Sequence, residues 1–402
     1  MKFSDLGLSQ HALKAVSDAG YITPTPIQAK AIPPALQGKD VIGCAATGTG
    51  KTAAFVLPIV ERLAGKSGTR ALVLAPTREL ALQIGEELAR FGASRSVRGA
   101  TIIGGISMRG QLNALRARPT VIIATPGRLI DHMGQGTARV DGIEVLVLDE
   151  ADRMLDMGFK PQLDRILAKL PKTRQTMLFS ATMAGEVAAF ARTHLRDPVR
   201  VEVTPSGTTA TRATQQVFLA TQNEKSALLL ALLENDADST LVFTRTKRRA
   251  DRLAKSLERC GHKVARIHAD RSQAQRRQAL DGFKSGSYRV LVATDIAARG
   301  IDVADIGHVV NFDLPHVAED YVHRIGRTAR ASASGRATSF VAAEELPLLK
   351  GIERLTRNNI KRSPIPRDSA VFIAELARAA TTKKNSPPPS RGRVRVGGPK
   401  PR

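Results

Sequence analysis

The 402-residue sequence has few cysteines, few aromatic residues and no long apolar run. Cys44 and Cys260 have no Cys or His neighbours at ligand spacing, which excludes a disulfide framework and a zinc site. There is no Trp, and aromatics are 4% of the chain, too few for extended base-stacking platforms. No apolar stretch approaches the roughly 18 residues of a membrane span, and the N-terminus lacks a signal-peptide pattern. We therefore expect a soluble, cytoplasmic protein with no membrane partner.

Positive charge is in excess, and much of that excess lies near the C-terminus. The 61 Lys and Arg outnumber the 37 Asp and Glu, which gives a net charge of +24. Such a surface attracts polyanions, and nucleic acid is the first candidate. Residues 381–402 combine Pro and Gly with seven Lys or Arg and no Asp or Glu, a composition that does not build a core. We expect a disordered tail from about residue 381 that tracks phosphates; a device for solubility is the alternative.

Short β-branched runs alternate with helix-compatible stretches, a pattern that predicts parallel sheets covered by helices. The runs are DVIGCA, ALVLAPT, TVIIATP, IEVLVLD, QTMLFSAT, STLVFTRT, KVARIHA, RVLVATD, HVVNFD and ATSFVAA. Between the fifth and sixth lies TPSGTTATRAT, residues 204–214, whose small and polar residues indicate a linker. The sequence therefore predicts an α/β protein with domains at 1–203 and 215–362 and a basic extension at 363–402.

A glycine-rich loop follows DVIGCA and precedes the helix-compatible run AAFVLPIVERL. In this context backbone N–H groups and a helix N-terminus converge on phosphate oxygens. Lys51 adds a full charge, and the Thr52 hydroxyl can ligate magnesium. Ala45 stands where the usual pattern has Gly, so an ordinary turn is the alternative for the loop alone. The predicted phosphate-binding residues are Ala45, Ala46, Thr47, Gly48, Thr49, Gly50, Lys51 and Thr52.

Three acidic residues follow the strand-like run IEVLVL, at the edge of a parallel sheet where ligands bind. Asp149 would hold magnesium, and Glu150 would position and deprotonate the attacking water. A helix-capping cluster is the alternative, which suits one carboxylate better than Asp149, Glu150 and Asp152 together. Combined with the glycine-rich loop, this acidic motif predicts a magnesium-dependent nucleotide hydrolase.

The remaining motifs resemble those of the DEAD-box ATP-dependent RNA helicases, a family of helicase superfamily two. Besides the loop and the acidic motif, they are GYITPTPIQ at 20–28, PTREL at 76–80, GG at 104–105, TPGR at 125–128, SAT at 180–182, VFT at 242–244, QAQR at 273–276, TD at 294–295, RGID at 299–302 and HRIGRTAR at 323–330. The resemblance implies two RecA-like parallel-sheet domains in tandem, with ATP and Mg²⁺ as cofactors and RNA as partner. The stretch around Glu353 and the short tail are most similar to the bacterial RhlE-like branch.

The resemblance also implies roles for nucleotide-contacting residues. Gln28 would read the adenine edge through its amide, and Tyr21 or Phe3 would stack on the base. A capping Gln and a core aromatic are the alternatives. By the same resemblance, Arg299 and Asp302 contact the ribose and the region of the attacking water. The remaining implied residues are the arginine fingers Arg324 and Arg327 with His323, and the coupling residues Ser180, Thr182 and Asp152.

RNA contact, by resemblance, falls mainly to small, hydroxyl and Arg residues. Such groups hold phosphates and sugars without reading base edges, so we expect little sequence preference. Each Gly pair could simply be a turn. The implied RNA-binding residues are Pro76, Thr77, Arg78, Gly104, Gly105, Thr125, Gly127, Arg128, Thr244, Gln273, Arg276 and Thr294.

The resulting hypothesis is a monomeric, RNA-stimulated ATPase whose domains close to open RNA duplexes locally, in ribosome assembly or RNA turnover. Its partners would be ribosomal precursors or the RNA-degradation machinery. Two rivals remain: a DNA helicase or translocase of the same superfamily, and an RNA-annealing clamp that ATP merely gates. Ala329 stands where the family has Gly in the last motif, and Ala269 follows His268 where Gly is common. Because Ala disfavours positive φ, the final loop need not approach the site as closely, and we expect Arg327 to function rather than Arg330.

Overall fold

The computed structural model describes residues 1–46, 48–183, 185–203, 213–234, 236–295, 306–328 and 335–384. The first domain contains the strands β1 (Val41–Cys44), β2 (Ala71–Leu74), β3 (Gly99–Ile102), β4 (Val121–Ala124), β5 (Val145–Leu148), β6 (Gln175–Ser180) and β7 (Val199–Glu202). They form one parallel sheet in the order β3-β4-β2-β5-β6-β1-β7. The central strands are apolar and fully buried because helices cover both faces of the sheet.

The sheet divides the apolar core of this domain into two clusters, one between each face of the sheet and the helices that cover it. Phe55 and Ile59 represent one cluster, and Leu146 and Leu178 the other. The described helices are α1 (Gln10–Asp18), α2 (Pro26–Leu36), α3 (Lys51–Leu63), α4 (Arg78–Gly92), α5 (Met108–Arg116), α6 (Pro126–Gly134), α7 (Ala151–Asp156), α8 (Lys160–Leu167) and α9 (Gly185–His194).

The second domain repeats this architecture. Its strands are β8 (Ala213–Leu219), β9 (Thr240–Thr244), β10 (Val264–Ile267), β11 (Val290–Thr294), β12 (His308–Asn311), β13 (Gly335–Val341) and β14 (Lys361–Arg362). The sheet is again parallel, in the order β10-β11-β9-β12-β13-β8-β14. The described helices are α10 (Lys225–Glu234), α11 (Lys247–Arg259), α12 (Gln273–Lys284), α13 (Ala318–Ile325), α14 (Leu346–Thr356) and α15 (Ala370–Lys384). The expected tandem of RecA-like parallel-sheet domains is thereby confirmed.

The ends of the second domain differ from the expected boundaries. Ala213 and Thr214 belong to β8, and the rest of the predicted linker lies outside the described residues. The extension that starts at residue 363 is not separate from the domain, since α15 packs on α10 and buries Phe372 to 2% exposure. The predicted disordered tail is helical up to Lys384 and lies outside the described residues from position 385.

The loops that carry the sequence motifs meet at the carboxyl edges of the two sheets. In the first sheet β5, β6 and β1 are neighbours, so the residues that follow these strands lie side by side. Across the domain boundary, Arg276 contacts Glu79. Among the described helices, none has both the length and the hydropathy of a membrane span.

Candidate active site at the domain interface

The glycine-rich loop lies between β1 and α3 in a conformation that needs glycine. Gly48 and Gly50 have φ values of +83° and +89°, in the left-handed region. A Cβ on Gly50 would lie 2.5 Å from Nε2 of Gln28. Lys51 begins α3 and is 6% exposed, and its Nζ donates to the Ala45 carbonyl at 2.8 Å. These features form a phosphate-binding loop; Thr47 lies outside the described residues.

Gln28 connects the adenine-reading motif to this loop. Its Nε2 donates to the Gly50 carbonyl at 3.1 Å, and its Oε1 accepts from the Thr25 backbone N–H at 2.9 Å. Of the two candidate stacking residues, Phe3 is only 5% exposed, whereas Tyr21 is half-buried between Phe3 and Phe91. Burial therefore favours Tyr21 as the ring that a base can reach.

The acidic motif follows β5 and is almost fully buried. Asp149 is 2% exposed, and burial raises its pKa to about 7, although the charge of Lys51 opposes this rise. Its Oδ1 accepts from the Glu150 backbone N–H at 2.9 Å. Glu150 has a φ of +50°, a strained backbone conformation of the kind that gathers at functional sites. The site thus holds one carboxylate facing Lys51 beside a second one in strained geometry.

Charges from both domains keep Glu150 ionised. Burial by itself raises the pKa of Glu150, but the charges of Arg153, Lys51 and Arg327 outweigh it and lower that pKa. Arg153 donates from Nη1 to the Glu150 carboxylate. The sequence analysis missed Arg153, although its i,i+3 spacing from Glu150 was a usable signal. Arg327 belongs to the second domain, so its charge reaches this carboxylate from the other side of the cleft.

Asp152 joins the acidic motif to the loop after β6. Its Oδ2 accepts from the backbone N–H groups of Ala181 at 3.0 Å and Thr182 at 2.9 Å, and from the Thr182 hydroxyl at 3.3 Å. The Ser180 hydroxyl donates to the Thr182 carbonyl at 2.6 Å. Burial lowers the pKa of His323, with the charge of Asp152 opposing, so the imidazole is neutral at pH 7. The coupling residues of the sequence analysis therefore lie together.

The two expected arginine fingers differ in their surroundings. Arg324 is 3% exposed and stays within its own domain, where it binds the Asp295 carboxylate at 2.6 and 2.7 Å and donates to Asn311 and the Asp313 carbonyl. Its guanidinium also lies 4.8 Å from the Phe243 ring centroid. The expectation that Arg324 reaches across the cleft is corrected here, because these contacts occupy its guanidinium. Arg327 retains the role suggested by its position.

Some expected residues cannot be placed. Arg299 and Asp302 lie outside the described residues, as do Ala329 and Arg330. Ala269 is described and exposed, and it is not among the residues with positive φ, so replacing Gly causes no backbone strain there.

The expected RNA-binding residues of the first domain cluster around Arg78. The Arg78 guanidinium packs so closely on Gly104 and Gly105 that a Cβ on Gly105 would lie 1.9 Å from its Nη1. Arg128 donates to the Ile106 carbonyl at 3.1 Å, which ties a third motif to the same surface. The remaining members are Gly127, whose Cβ position is open, Pro76 and Thr125, which are buried, and Thr77, whose hydroxyl caps α4.

The expected RNA-binding residues of the second domain behave differently. Thr244 is 0% exposed, so in this arrangement its side chain is not accessible to RNA. Thr294, in contrast, is half-buried at the end of β11. Arg276 donates from Nε to Glu79 at 2.8 Å, and Gln273 donates from Nε2 to the same oxygen at 3.3 Å. Both join the two domains, with Arg276 and Glu79 buried. The sequence analysis missed Glu79, because nothing local marks a partner 197 residues away.

Comparisons with known proteins agree with this geometry. Residues 25–190 match the family model of the DEAD/DEAH box helicases, and residues 224–332 match that of the helicase conserved C-terminal domain. A DEAD-box ATP-dependent RNA helicase CshA from Geobacillus kaustophilus is 47% identical over 90% of this chain and 78% of its own length. The CshA helicase of Limosilactobacillus reuteri is 44% identical over 94% and 77%, respectively. These relatives bear the name CshA, and the expected RhlE-like branch is not supported.

Solved structures show the same two-domain fold. S. cerevisiae Dbp5 bound to RNA and ADP BeF3 is 30% identical and has a TM-score of 0.82 over 94% of this chain and 99% of its own. Mss116 bound to ssRNA and UDP-BeF is 28% identical and has a TM-score of 0.83, and the match covers 94% of this chain and 82% of Mss116. A DEAD box protein from Methanococcus jannaschii is 37% identical over 90% and 99%, yet its TM-score is 0.52.

Proposed function

Because the chain belongs to the DEAD-box ATP-dependent RNA helicases, we propose that closure of its two domains couples ATP hydrolysis to the local opening of RNA duplexes. The observation that carries this proposal is the buried ion pair of Arg276 and Glu79, which joins the domains at 2.8 Å. A buried Arg that loses its carboxylate partner costs several kcal/mol, about 3–5. In the closed arrangement each charge compensates the other, so the loss of either one would destabilise that arrangement, which makes it a discrete state.

The likeness to solved structures supports a closed arrangement. The TM-scores are 0.82 and 0.83 with helicases bound to RNA and a nucleotide analogue, but 0.52 with a more identical protein. Sequence identity does not account for this order, and we infer that it reflects the relative position of the domains. We take the structure to represent the state that ATP and RNA jointly stabilise.

The nucleotide would lie between the phosphate loop and the second domain. Lys51 and the N-terminus of α3 would hold the phosphates, and Tyr21 with Gln28 would hold the adenine. Magnesium suits this site, because Mg²⁺ takes one or two carboxylates, oxygen donors such as phosphates and waters, and the Asp149 carboxylate and the Thr52 hydroxyl would supply oxygens of this kind. When bound, the ion neutralises charge on the phosphates.

Hydrolysis would depend on groups from both domains. Glu150 is ionised and would accept a proton from the attacking water. Arg327 would stabilise the negative charge that develops on the terminal phosphate. Arg324 would act as a positioning residue that holds Asp295, the residue directly after β11. Turnover would therefore require closure.

Asp152, Thr182 and His323 would transmit closure to the RNA-binding surfaces. Arg78 and Arg128, with the Gly104–Gly105 turn, would hold the RNA backbone, and such contacts predict recognition without sequence preference. We propose a role in remodelling ribosomal precursors or in RNA degradation, as a monomer in the cytoplasm.

RNA dependence of the ATPase separates this proposal from its rivals. We expect strong stimulation by single-stranded RNA and little by DNA of the same sequence, measured by phosphate release from the full chain. Equal stimulation by DNA would favour the translocase. RNA binding and annealing without any stimulation would favour the clamp.

A further inference from the structure

Helix α11 of the second domain carries a line of four positive side chains on its outer face. Arg248, Arg252, Lys255 and Arg259 are all exposed. Their i, i+4, i+7, i+11 spacing puts them on one side of the helix, opposite the residues that pack into the core. We call these four residues the basic stripe. At 1.5 Å per residue it is about 16 Å long.

The basic stripe lacks the acidic partners that other charged residues of α11 have. Lys247 and Arg249 each form an ion pair with an Asp elsewhere in the domain. Asp251 and Glu258 are turned toward Arg266, at 3.6 and 3.8 Å. In the part of the chain that the structure describes, no ion pair involves the stripe. The four positive charges therefore exceed the two acidic charges of the helix, and this excess is available to an anionic partner.

The basic stripe extends from the carboxyl edge of the second sheet to the neighbourhood of α15. Arg248 lies four residues after Thr244, at the carboxyl edge of the sheet where the helicase motifs meet. From there α11 runs back along the sheet, and its last residue precedes Cys260, whose sulfur accepts from Arg378 of α15 at 3.7 Å. After α15 the sequence continues through residues 385–402, which contain five Lys or Arg and no acidic residue. The stripe thus leads from the candidate cleft to the contact between Cys260 and α15.

We propose that the basic stripe is an accessory phosphate-binding track for RNA that extends beyond the cleft, an inference that rests on the proposed RNA binding between the domains. RNA fits this surface because its phosphates repeat along a strand, as the four charges repeat along the helix. Long flexible Arg and Lys side chains on an open face give no base readout, so this binding is independent of sequence. The track would tether structured RNA while the cleft acts on it.

The test uses the full chain with Arg248, Arg252, Lys255 and Arg259 all changed to Gln, which keeps helix propensity. Affinity for a length series of oligouridylates is measured by fluorescence anisotropy with a non-hydrolysable ATP analogue, at several salt concentrations. The unchanged protein should gain affinity beyond the length that fills the cleft, whereas the variant should reach its plateau earlier. For long RNA, the slope of log K against log salt should become shallower by about 2–3, since each phosphate contact contributes about 0.7.

The matched control removes four exposed positive charges from the first domain, by changing Arg165, Lys169, Lys172 and Arg192 to Gln. An unchanged length dependence in the stripe variant would overturn the proposal. So would an equal loss in the control, or a loss of the same size for the shortest RNA. Should the fourfold variant fail to fold, the R252Q/K255Q double variant gives the same comparison, with a slope change of about 1. ATPase stimulation by short RNA is measured in parallel: its absence in the unchanged protein would contradict the proposed function, not the track.

Discussion

Glu150 combines a strained backbone with a carboxylate that positive charges hold ionised. We predict that Glu150→Gln retains ATP and RNA binding and loses about 10²–10⁴-fold in turnover, because an amide accepts no proton from water. Single-turnover hydrolysis with saturating RNA measures this loss. Asp156→Asn, at the end of the same helix, is the control and should retain turnover. Unchanged turnover in Glu150→Gln would remove Glu150 as the base.

Arg324 and Arg327 stand three residues apart in one motif, yet we propose different tasks for them. Arg327→Gln should lose ATPase activity by more than about 10²-fold, because its charge would act on the transition state. Arg324→Gln should lower the free energy of unfolding by about 3 kcal/mol, since it leaves the buried polar groups around it without a donor. Urea unfolding and ATPase assays on both variants check this. The reverse pattern would restore Arg324 as a finger.

The motif at 323–330 could be recognised from sequence, but the assignment within it could not. Both Arg residues fit the pattern equally well. Only the tertiary contact of Arg324 with Asp295, 29 residues earlier in the chain, shows that the Arg324 guanidinium binds within its own domain. In the same way, sequence could not choose between Tyr21 and Phe3, whereas burial does.

At the scale of elements, the strands that sequence predicted are mainly the central ones. β2, β4, β5 and β9 are buried along their whole length, so they appear in sequence as continuous apolar runs. β3, β7 and β14 lie at sheet edges and β8 lies next to one, where alternating or polar residues suffice, and none was predicted. Likewise, α15 docks largely through Phe372, too weak a signal to separate it from the basic tail.

Asp236, in the segment before β9, is a buried carboxylate that binds side chains of β12 and β13. His308 donates from Nδ1 to Asp236 at 2.7 Å, and Arg336 donates to the same carboxylate at 2.6 Å. Burial by itself raises the pKa of Asp236, but the hydrogen bonds from His308, the Asp238 backbone and Arg336 hold that pKa well below its usual range. Asp236 therefore stabilises the fold above the unfolded-state pKa of about 4, and this contribution is lost as pH falls further.

Asp236→Asn should accordingly lower the free energy of unfolding at pH 7 by about 2 kcal/mol. Below about pH 4 the difference from the unchanged protein should shrink, because the carboxylate of the unfolded state then takes up a proton while the native one stays ionised. Urea unfolding measures both effects when it is followed from about pH 3 to about pH 7, a range that includes the carboxyl pKa of the unfolded state. Asp238→Asn, at an exposed partner of Arg336, is the control and should change little. A difference that stays constant with pH would contradict the assigned cause.

For the whole molecule, the sequence predicted that the domains must close, because the phosphate loop and Arg327 lie on different domains. It could not reveal what holds the closed arrangement. Glu79 belongs to an expected RNA-binding motif, and Arg276 to another, yet the structure pairs them with each other. Such a contact depends on the relative position of two domains, which no local pattern encodes.

The central claim is that ATP and RNA together bring the domains into the state joined by Glu79 and Arg276. Its most direct test is single-molecule FRET on protein labelled at Cys260 and at K169C, with Cys44→Ser to avoid a third label. We predict high transfer only when a non-hydrolysable ATP analogue and RNA are both present, a smaller closed fraction in Glu79→Gln, and recovery in the charge-swapped E79R/R276E variant. Equal transfer under all ligand conditions, or a closed fraction unaffected by Glu79→Gln, would contradict the account.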